Sequence, residues 1–294
     1  MARILVIRHS AFGDIILSCP GFAAIRAHHP QDDITLLTTA PYAPLLRASP
    51  WFNRVIVDAK PKWWDMAGIH RLRRQLSGFD KVYDLQSSGR TGYYFTLAGW
   101  PPWSGTARFC AYPAGPGREY LHTWERQAQQ LSRAGVSMKL HGADLSWIKA
   151  DISGFNLPAR YAVLIPGTSA HRAVKRLPAE TFRDLVPFLN APVVIIGAAN
   201  ETPLAQAIGG IDLTGRSNFF LLASILRGAE LAIGNDTGPL HFAAALNVPC
   251  LAVFSRESHP DTAAPRYPDG RKATVLQAPT LQELTVAQIR AHLP

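Results

Sequence analysis

Four polar knots in this sequence hold residue types that do chemistry. The most concentrated is Gly234-Asn235-Asp236-Thr237-Gly238-Pro239, between an apolar run at 231–233 and an Ala-rich helical segment. Asp236 or Thr237 can cap that helix, and Pro239 suits its first turn. The same free N–H groups make a helix N-terminus an anion site. His241 lies one turn in, either as a structural side chain or as a ligand contact. In "RHSAFGDIILSCPGF", Asp14 follows Gly13 at a helix start. It reads as an N-cap favoured by the helix dipole or as a general base. In "PGTSAHRAVKRLP", Thr168 and Ser169 can donate to phosphate oxygens, and Gly167 permits close backbone approach. Lys175 and Arg176 add positive charge there, for an anion or as a solvated basic face. In "IIGAANE", Glu201 opens a helix. It caps that helix or accepts both hydroxyls of a ribose, as acids beyond Rossmann strands do.

Each knot follows a short β-rich run. Residues 3–8, 34–38, 54–57 and 81–85 are expected strands with helical patterns between them. Residues 123–134 are an expected helix closed by Gly135. Pro20 must kink the helix expected over 13–28 or delay its start. The Gly/Pro-rich stretch 99–117 reads as an irregular excursion, and 153–160 reads as a linker. The pattern then restarts at 161–165, with a helix beginning near Pro178. It continues through strands at 192–197, 211–213, 231–233 and 250–254 to a terminal helix at 281–293. Alternating β and α units predict an α/β fold with parallel sheets covered on both faces. Two such series predict two Rossmann-like domains, residues 1–155 and 156–280, with a ligand bound between them at the strand carboxyl ends.

Composition narrows the function classes. The 294 residues are 47% hydrophobic and 17% charged, an ordinary globular balance. No run approaches the ~18 apolar residues that cross a bilayer. The apolar run at 4–7 is broken by Arg8 and His9, which argues against a signal peptide. Cys19, Cys110 and Cys250 lie far apart without metal or disulfide spacing, which fits a reducing cytosol. The net charge of +9 favours anionic partners or reflects a solvated Arg-rich surface. Its densest cluster, Arg71-Leu72-Arg73-Arg74, follows the pair Trp63-Trp64. That stretch is an exposed helix face, or a seat for a membrane surface or a phosphate-bearing acceptor. The G-x-G-x-x-G, P-loop, H-E-x-x-H, Cys-x-x-Cys, G-x-S-x-G and Asp-x-Asp patterns are all missing. This disfavours dinucleotide redox chemistry, P-loop phosphoryl transfer, a dedicated zinc site and a serine elbow. No nucleic-acid module accompanies the charge, so no nucleic-acid partner is expected.

Taken together, "ILVIRHSAFGDIILSCP", "PGTSAHRAVKRLP" and "GNDTGPLHFAAALNVPCLAVF" resemble glycosyltransferase family 9, which contains the ADP-heptose:lipopolysaccharide heptosyltransferases. The resemblance runs nearly the full length, and its D-T-G-x-x-H block is the most specific part. It implies a GT-B fold, two Rossmann-like domains facing a central cleft, with a C-terminal helix over 281–294 packing back on the N-terminal domain. It implies an inverting, metal-independent transfer that needs no cofactor. The donor would be a nucleotide sugar, usually ADP-heptose, and the acceptor a lipopolysaccharide core or related glycan.

On this resemblance Asp14 matches the catalytic base. Lys175 matches a diphosphate-binding lysine, with Thr168 and Ser169 in the same loop. Glu201 matches the ribose-binding acid, and Asp236, Thr237, Gly238 and His241 match the donor-binding block. "DLQSSGRTG" resembles the family's D-x-Q-x-x-x-[RK] stretch, which would turn Arg90 toward the acceptor. The implied partners are a nucleotide-sugar donor and a glycolipid acceptor. The implied setting is the cytoplasm, with peripheral contact at the cytoplasmic face of the inner membrane. The chain departs from the family at Leu177, where Trp is common, and in a basic loop about one residue longer. Residues 99–117 show no recognisable family motif. Two other readings stand beside the transferase: a non-catalytic nucleotide-sugar-binding protein, and a nucleotide-sugar epimerase of the same fold.

Overall fold

The computed structural model describes residues 1–168, 176–256 and 259–293. The chain forms two compact units, Met1–Ala143 and Asp144–Pro294. In the first, six strands pair in parallel: β1 (Arg3–Ile7), β2 (Asp33–Thr38), β3 (Arg54–Val57), β4 (Lys81–Asp84), β5 (Trp103–Gly105) and β6 (Tyr112–Pro113). Their order is β3-β2-β1-β4-β5-β6. Ile4, Leu5, Val6 and Ile7 of β1 are all buried. An unbroken apolar run rather than alternation is what a strand covered on both faces requires.

The second unit repeats the plan with β7 (Ala162–Ile165), β8 (Val193–Ile195), β9 (Ile211–Asp212), β10 (Leu231–Asn235), β11 (Cys250–Ser255) and β12 (Thr274–Ala278). The order is β12-β11-β10-β7-β8-β9, again all parallel. In each sheet the strand order reverses once near the centre, between β1 and β4 and between β7 and β10. Loops leave those neighbouring strands in opposite directions, so a crevice opens at the carboxyl ends there.

The helix expected to be kinked or delayed by Pro20 runs from Phe12 to His28 with Pro20 inside it. Its inward face carries Ile15, Ile16, Phe22 and Ile25, all buried. One further expectation is corrected. The stretch 99–117 is not wholly irregular: β5 and β6 lie within it and extend the sheet, and Trp103 is completely buried. Strands of three and two residues are too short to show a period. The terminal segment was expected to pack back on the first domain. It is a turn at Leu281–Glu283 and a helix at Val286–Arg290, and Leu281, Leu284 and Ile289 join the core of the second unit with Phe182 and Leu185.

The second unit also begins before the boundary expected at 155. The cause lies in helix Phe219–Arg227. Arg227 donates to the carbonyls of Ile148 and, at 2.6 Å, Leu145. Ser224 Oγ donates to the Ala150 carbonyl at 2.8 Å and accepts from the Ala150 N–H at 2.9 Å. Leu145 and Ile148 are buried beside these bonds. Residues 144–150 are thus a strap of the second unit, not a free linker.

Candidate active site

In the first unit the crevice at the strand reversal is a cavity of about 260 Å³. Arg8 and Asp14 line it from the connection after β1, and Leu85, Gln86 and Ser87 from the connection after β4. Helix Thr123–Arg133 contributes Thr123, Arg126 and Gln127, and Arg118 completes the wall. Two side chains close the floor across the reversal. Arg8 Nη1 donates to the Leu85 carbonyl at 2.6 Å, and Gln86 Oε1 accepts from the His9 N–H at 2.9 Å.

Asp14 occupies the third position of helix Phe12–His28, so it is not the residue at the cap itself. Its Oδ2 accepts from the Ala11 N–H at 3.0 Å, and its Oδ1 lies 2.9 Å from Arg8 Nη2. The Asp14 side chain nevertheless stays 46% exposed, while that of Arg8 is 8% exposed. The carboxylate is therefore oriented from behind and open to the cavity, which is what a general base needs. Burial lowers the Arg8 pKa, and the Asp14 charge opposes that shift.

Two more guanidiniums face the same space. Arg118 donates to Gln130 Oε1 and the Arg126 carbonyl, both at 3.3 Å, and Arg126 donates to Thr123 Oγ1 at 2.9 Å. Burial, then the Arg126 charge, lowers the Arg118 pKa. Three arginines around one exposed carboxylate make the cavity a place for an anion. Beneath it Asp84, wholly buried at the end of β4, accepts from the N–H groups of Gln86 at 3.0 Å and Ser87 at 2.9 Å. Burial pushes its carboxyl up to about 6, against the pull of those bonds.

Asp58 stands beyond β3. It accepts from the Tyr94 hydroxyl at 2.6 Å and the Lys60 N–H at 2.7 Å, and lies 3.1 Å from His9 Nε2. Burial raises its pKa, but the bonds from His9, Tyr94 and Lys60 prevail and hold it below the usual range. Arg90 does not line the cavity. It is exposed on helix Gly89–Leu97 and donates to the Pro61 carbonyl at 3.3 Å.

In the second unit the expected donor residues gather at three adjacent strand ends. Thr168 follows β7, Glu201 follows β8, and Asp236, Thr237 and Gly238 follow β10. Ser169 and Lys175 lie outside the described residues. Glu201 Oε2 accepts from the Ala198 N–H at 2.8 Å. Its carboxylate packs against two glycines: a Cβ added at Gly167 would lie 2.0 Å from Oε1, and one at Gly197 2.5 Å from Oε2. A side chain at either glycine would displace the acid from this position, so the two knots meet where Glu201 lies against the Gly167 backbone. Thr237 precedes helix Gly238–Ala245 as its cap, and its Oγ1 is buried without a partner among the described residues. Asp236 Oδ1 lies 3.6 Å from Nε2 of the buried His241.

Asn235, wholly buried at the end of β10, was not singled out from the sequence. Its Nδ2 donates to the Pro166 carbonyl at 2.8 Å, and its Oδ1 accepts from the Leu177 N–H at 2.9 Å. One amide thus staples both ends of the basic loop to the strand reversal, as Arg8 bridges the reversal in the first unit. Arg8, Asp84, Arg118 and Arg126 were missed as well. A signal existed for Arg8 and Asn235, each a polar residue ending an apolar strand. None existed for Arg118 and Arg126.

Two parallel six-stranded units with polar sites at their strand reversals have the layout of a GT-B glycosyltransferase. The chain belongs to glycosyltransferase family 9 (heptosyltransferase), whose model matches residues 69–288. It is 24% identical over 285 residues to lipopolysaccharide heptosyltransferase 1 of Escherichia coli (strain K12), covering 86% of this chain and 87% of that one. The fold is shared with two solved structures. The glycosyl transferase family 9 of Veillonella parvula DSM 2008 superposes with a TM-score of 0.76 at 22% identity, covering 94% of this chain and 86% of that one. E. coli heptosyltransferase WaaC with ADP superposes with a TM-score of 0.75 at 22% identity, covering 98% of each chain. The chain is thus a glycosyltransferase, and the reading as a non-catalytic binding protein falls away. Among the described residues no helix is long and apolar enough to cross a membrane.

Proposed function

We propose that this chain transfers a heptose from ADP-heptose to a lipopolysaccharide-core acceptor, with inversion and without a metal ion. The observation that carries the reading is the Asp14 carboxylate, open to a cavity and held from behind by Arg8. In this scheme Asp14 takes the proton of an acceptor hydroxyl. The hydroxyl oxygen forms its bond to the anomeric carbon on the face opposite the diphosphate, as the bond to ADP breaks. Arg118 and Arg126 suit an acceptor that carries acidic groups, as a lipopolysaccharide core does. Arg90 meets the acceptor farther out.

The donor lies on the second unit. Thr168, Ser169 and Lys175 hold its diphosphate, with the helix N-terminus at Thr237 and Gly238. Lys175 stabilises the charge that grows on the leaving ADP. Glu201 accepts the ribose hydroxyls, while Asp236 and His241 border the sugar. The matching name of the E. coli relative supports a heptose donor and a lipopolysaccharide acceptor. An acceptor of that kind sets the work at the cytoplasmic face of the inner membrane, with the protein bound peripherally. An epimerase would convert its donor without any acceptor.

The test is Asp14→Asn. General-base help is worth about 10²–10⁴-fold, so turnover should fall by that factor while ADP affinity by calorimetry stays unchanged. Near-normal turnover would remove Asp14 from the mechanism. Transfer by the unaltered protein should survive excess EDTA. In a thermal-shift panel of ADP-, GDP- and UDP-sugars, the ADP-sugar should stabilise most, since binding to the native state raises apparent stability.

A further inference from the structure

We infer that the loop over residues 60–66 and the exposed stripe of the following helix dock the protein on an anionic lipid bilayer. Trp63 is 80% exposed, Trp64 59% and Met66 73%. Large apolar side chains this open, and this close together in the chain, mark an interaction surface rather than scatter. The two indoles pack edge to face with centroids 5.4 Å apart, and Lys62 Nζ stands 5.0 Å from the Trp64 ring centre.

The backbone of the loop is anchored at several points. Buried Asp58 accepts from the Lys60 N–H and the Tyr94 hydroxyl, fixing the root. Lys60 has φ 47°, a left-handed conformation that non-glycine residues keep only when their surroundings impose it. Arg90 donates to the Pro61 carbonyl, and Asp65 accepts from the Gly68 N–H at 2.8 Å. Helix Met66–Leu76 then buries Leu72 and Leu76 and turns Arg71 and Arg74 to solvent. Residues 60–76 hold five cations against one carboxylate, Asp65.

Charge and ring chemistry select the occupant. Trp sits at the headgroup level of a bilayer, and neighbouring Lys and Arg are drawn to anionic lipid within a Debye length. A protein partner would call for a closed apolar patch with few charges at its centre. The inference deepens the proposed glycolipid acceptor and rests on that reading for its purpose. Loop 58–65 leaves the carboxyl end of β3, the same edge of the sheet at which the Asp14 cavity opens. Docking there would bring that edge to the lipid surface.

The experiment is co-sedimentation of the full chain with vesicles of phosphatidylcholine alone, or with added phosphatidylglycerol. It compares the unaltered protein with W63S/W64S, alongside quenching of tryptophan emission by brominated acyl chains. The unaltered protein should bind the phosphatidylglycerol vesicles, lose binding at high salt and show quenched emission. Removing two interfacial aromatics should cut the partition by roughly tenfold or more, with an unchanged melting temperature and unchanged transfer to a water-soluble acceptor fragment. Failure of the unaltered protein to bind phosphatidylglycerol vesicles overturns the inference. So does equal binding by the double variant, or a concentration-dependent self-association that the variant abolishes without any vesicle binding. A wrong assignment of the transfer reaction would show separately, as no transfer by either protein while vesicle binding persists.

Discussion

Replacing Asp84 by asparagine should change how stability depends on pH. Asp84 is wholly buried and its carboxyl is pushed up to about 6 from an ordinary 3.8. At about 1.4 kcal/mol per pKa unit, keeping it ionised in the folded state costs about 3 kcal/mol. The sign follows from its protons. Between pH 3.8 and about 6 the folded chain holds a proton that the unfolded chain has released. Stability is therefore full below that window and declines as pH rises through it. About 2 kcal/mol of that decline should develop between pH 4.5 and 8. The substituted amide would keep an oxygen for the Gln86 and Ser87 N–H groups and carry no charge. The assay is urea unfolding followed by circular dichroism at both pH values. Relative to the unaltered protein, D84N should gain about 2 kcal/mol more at pH 8 than at pH 4.5. Taking that double difference cancels any effect of the substitution that does not titrate. Parallel stability curves for the two proteins would refute the reasoning.

Other expectations concern the two bridging side chains. Asn235→Leu leaves the Leu177 N–H and the Pro166 carbonyl buried and unpaired, so it should cost about 2–5 kcal/mol in urea unfolding. It should also weaken ADP binding by calorimetry; an unchanged midpoint and affinity would deny the staple. Arg8→Gln should lower kcat while leaving donor KM and ADP affinity unchanged, because Arg8 orients Asp14 within the first unit and the proposed donor residues all belong to the second. Arg8→Lys should recover only part of the loss, since one ammonium cannot reproduce the fork to Asp14 and Leu85. Equal kcat in Arg8→Gln and the unaltered protein would show that the ion pair does not position the base.

Much of this was legible in the sequence because strand ends announce themselves. An apolar run that gives way to Arg-His, Pro-Gly-Thr or Gly-Asn-Asp-Thr-Gly marks both an element boundary and a polar crevice. The strands read at 3–8, 34–38, 54–57 and 81–85 stand within a residue or two of β1 to β4. Residues whose role depends on partners far along the chain stayed hidden. Arg8 reaches Leu85, 77 residues away, and Asn235 reaches Pro166, 69 away. Arg118 and Arg126 gained meaning only when β5 and helix Thr123–Arg133 brought them beside the connection after β4. Short-range pattern carries no trace of such distances. The strap escaped for a related reason: its polar backbone is satisfied by side chains of a helix some 75 residues later. The apolar spacing of the terminal segment gives its buried face but not the core that receives it.

That strap has a practical consequence for dissecting the protein. A gene fragment for the second half that started at codon 156, at the expected linker, would discard residues 144–150. The Arg227 guanidinium and the Ser224 hydroxyl would lose the carbonyls they cap, and the surface under Leu145 and Ile148 would be laid open. Such a fragment invites aggregation that would say nothing about nucleotide binding. Starting at codon 144 keeps the strap seated, so a failure of that fragment to bind ADP would bear on the proposed donor site rather than on a broken surface.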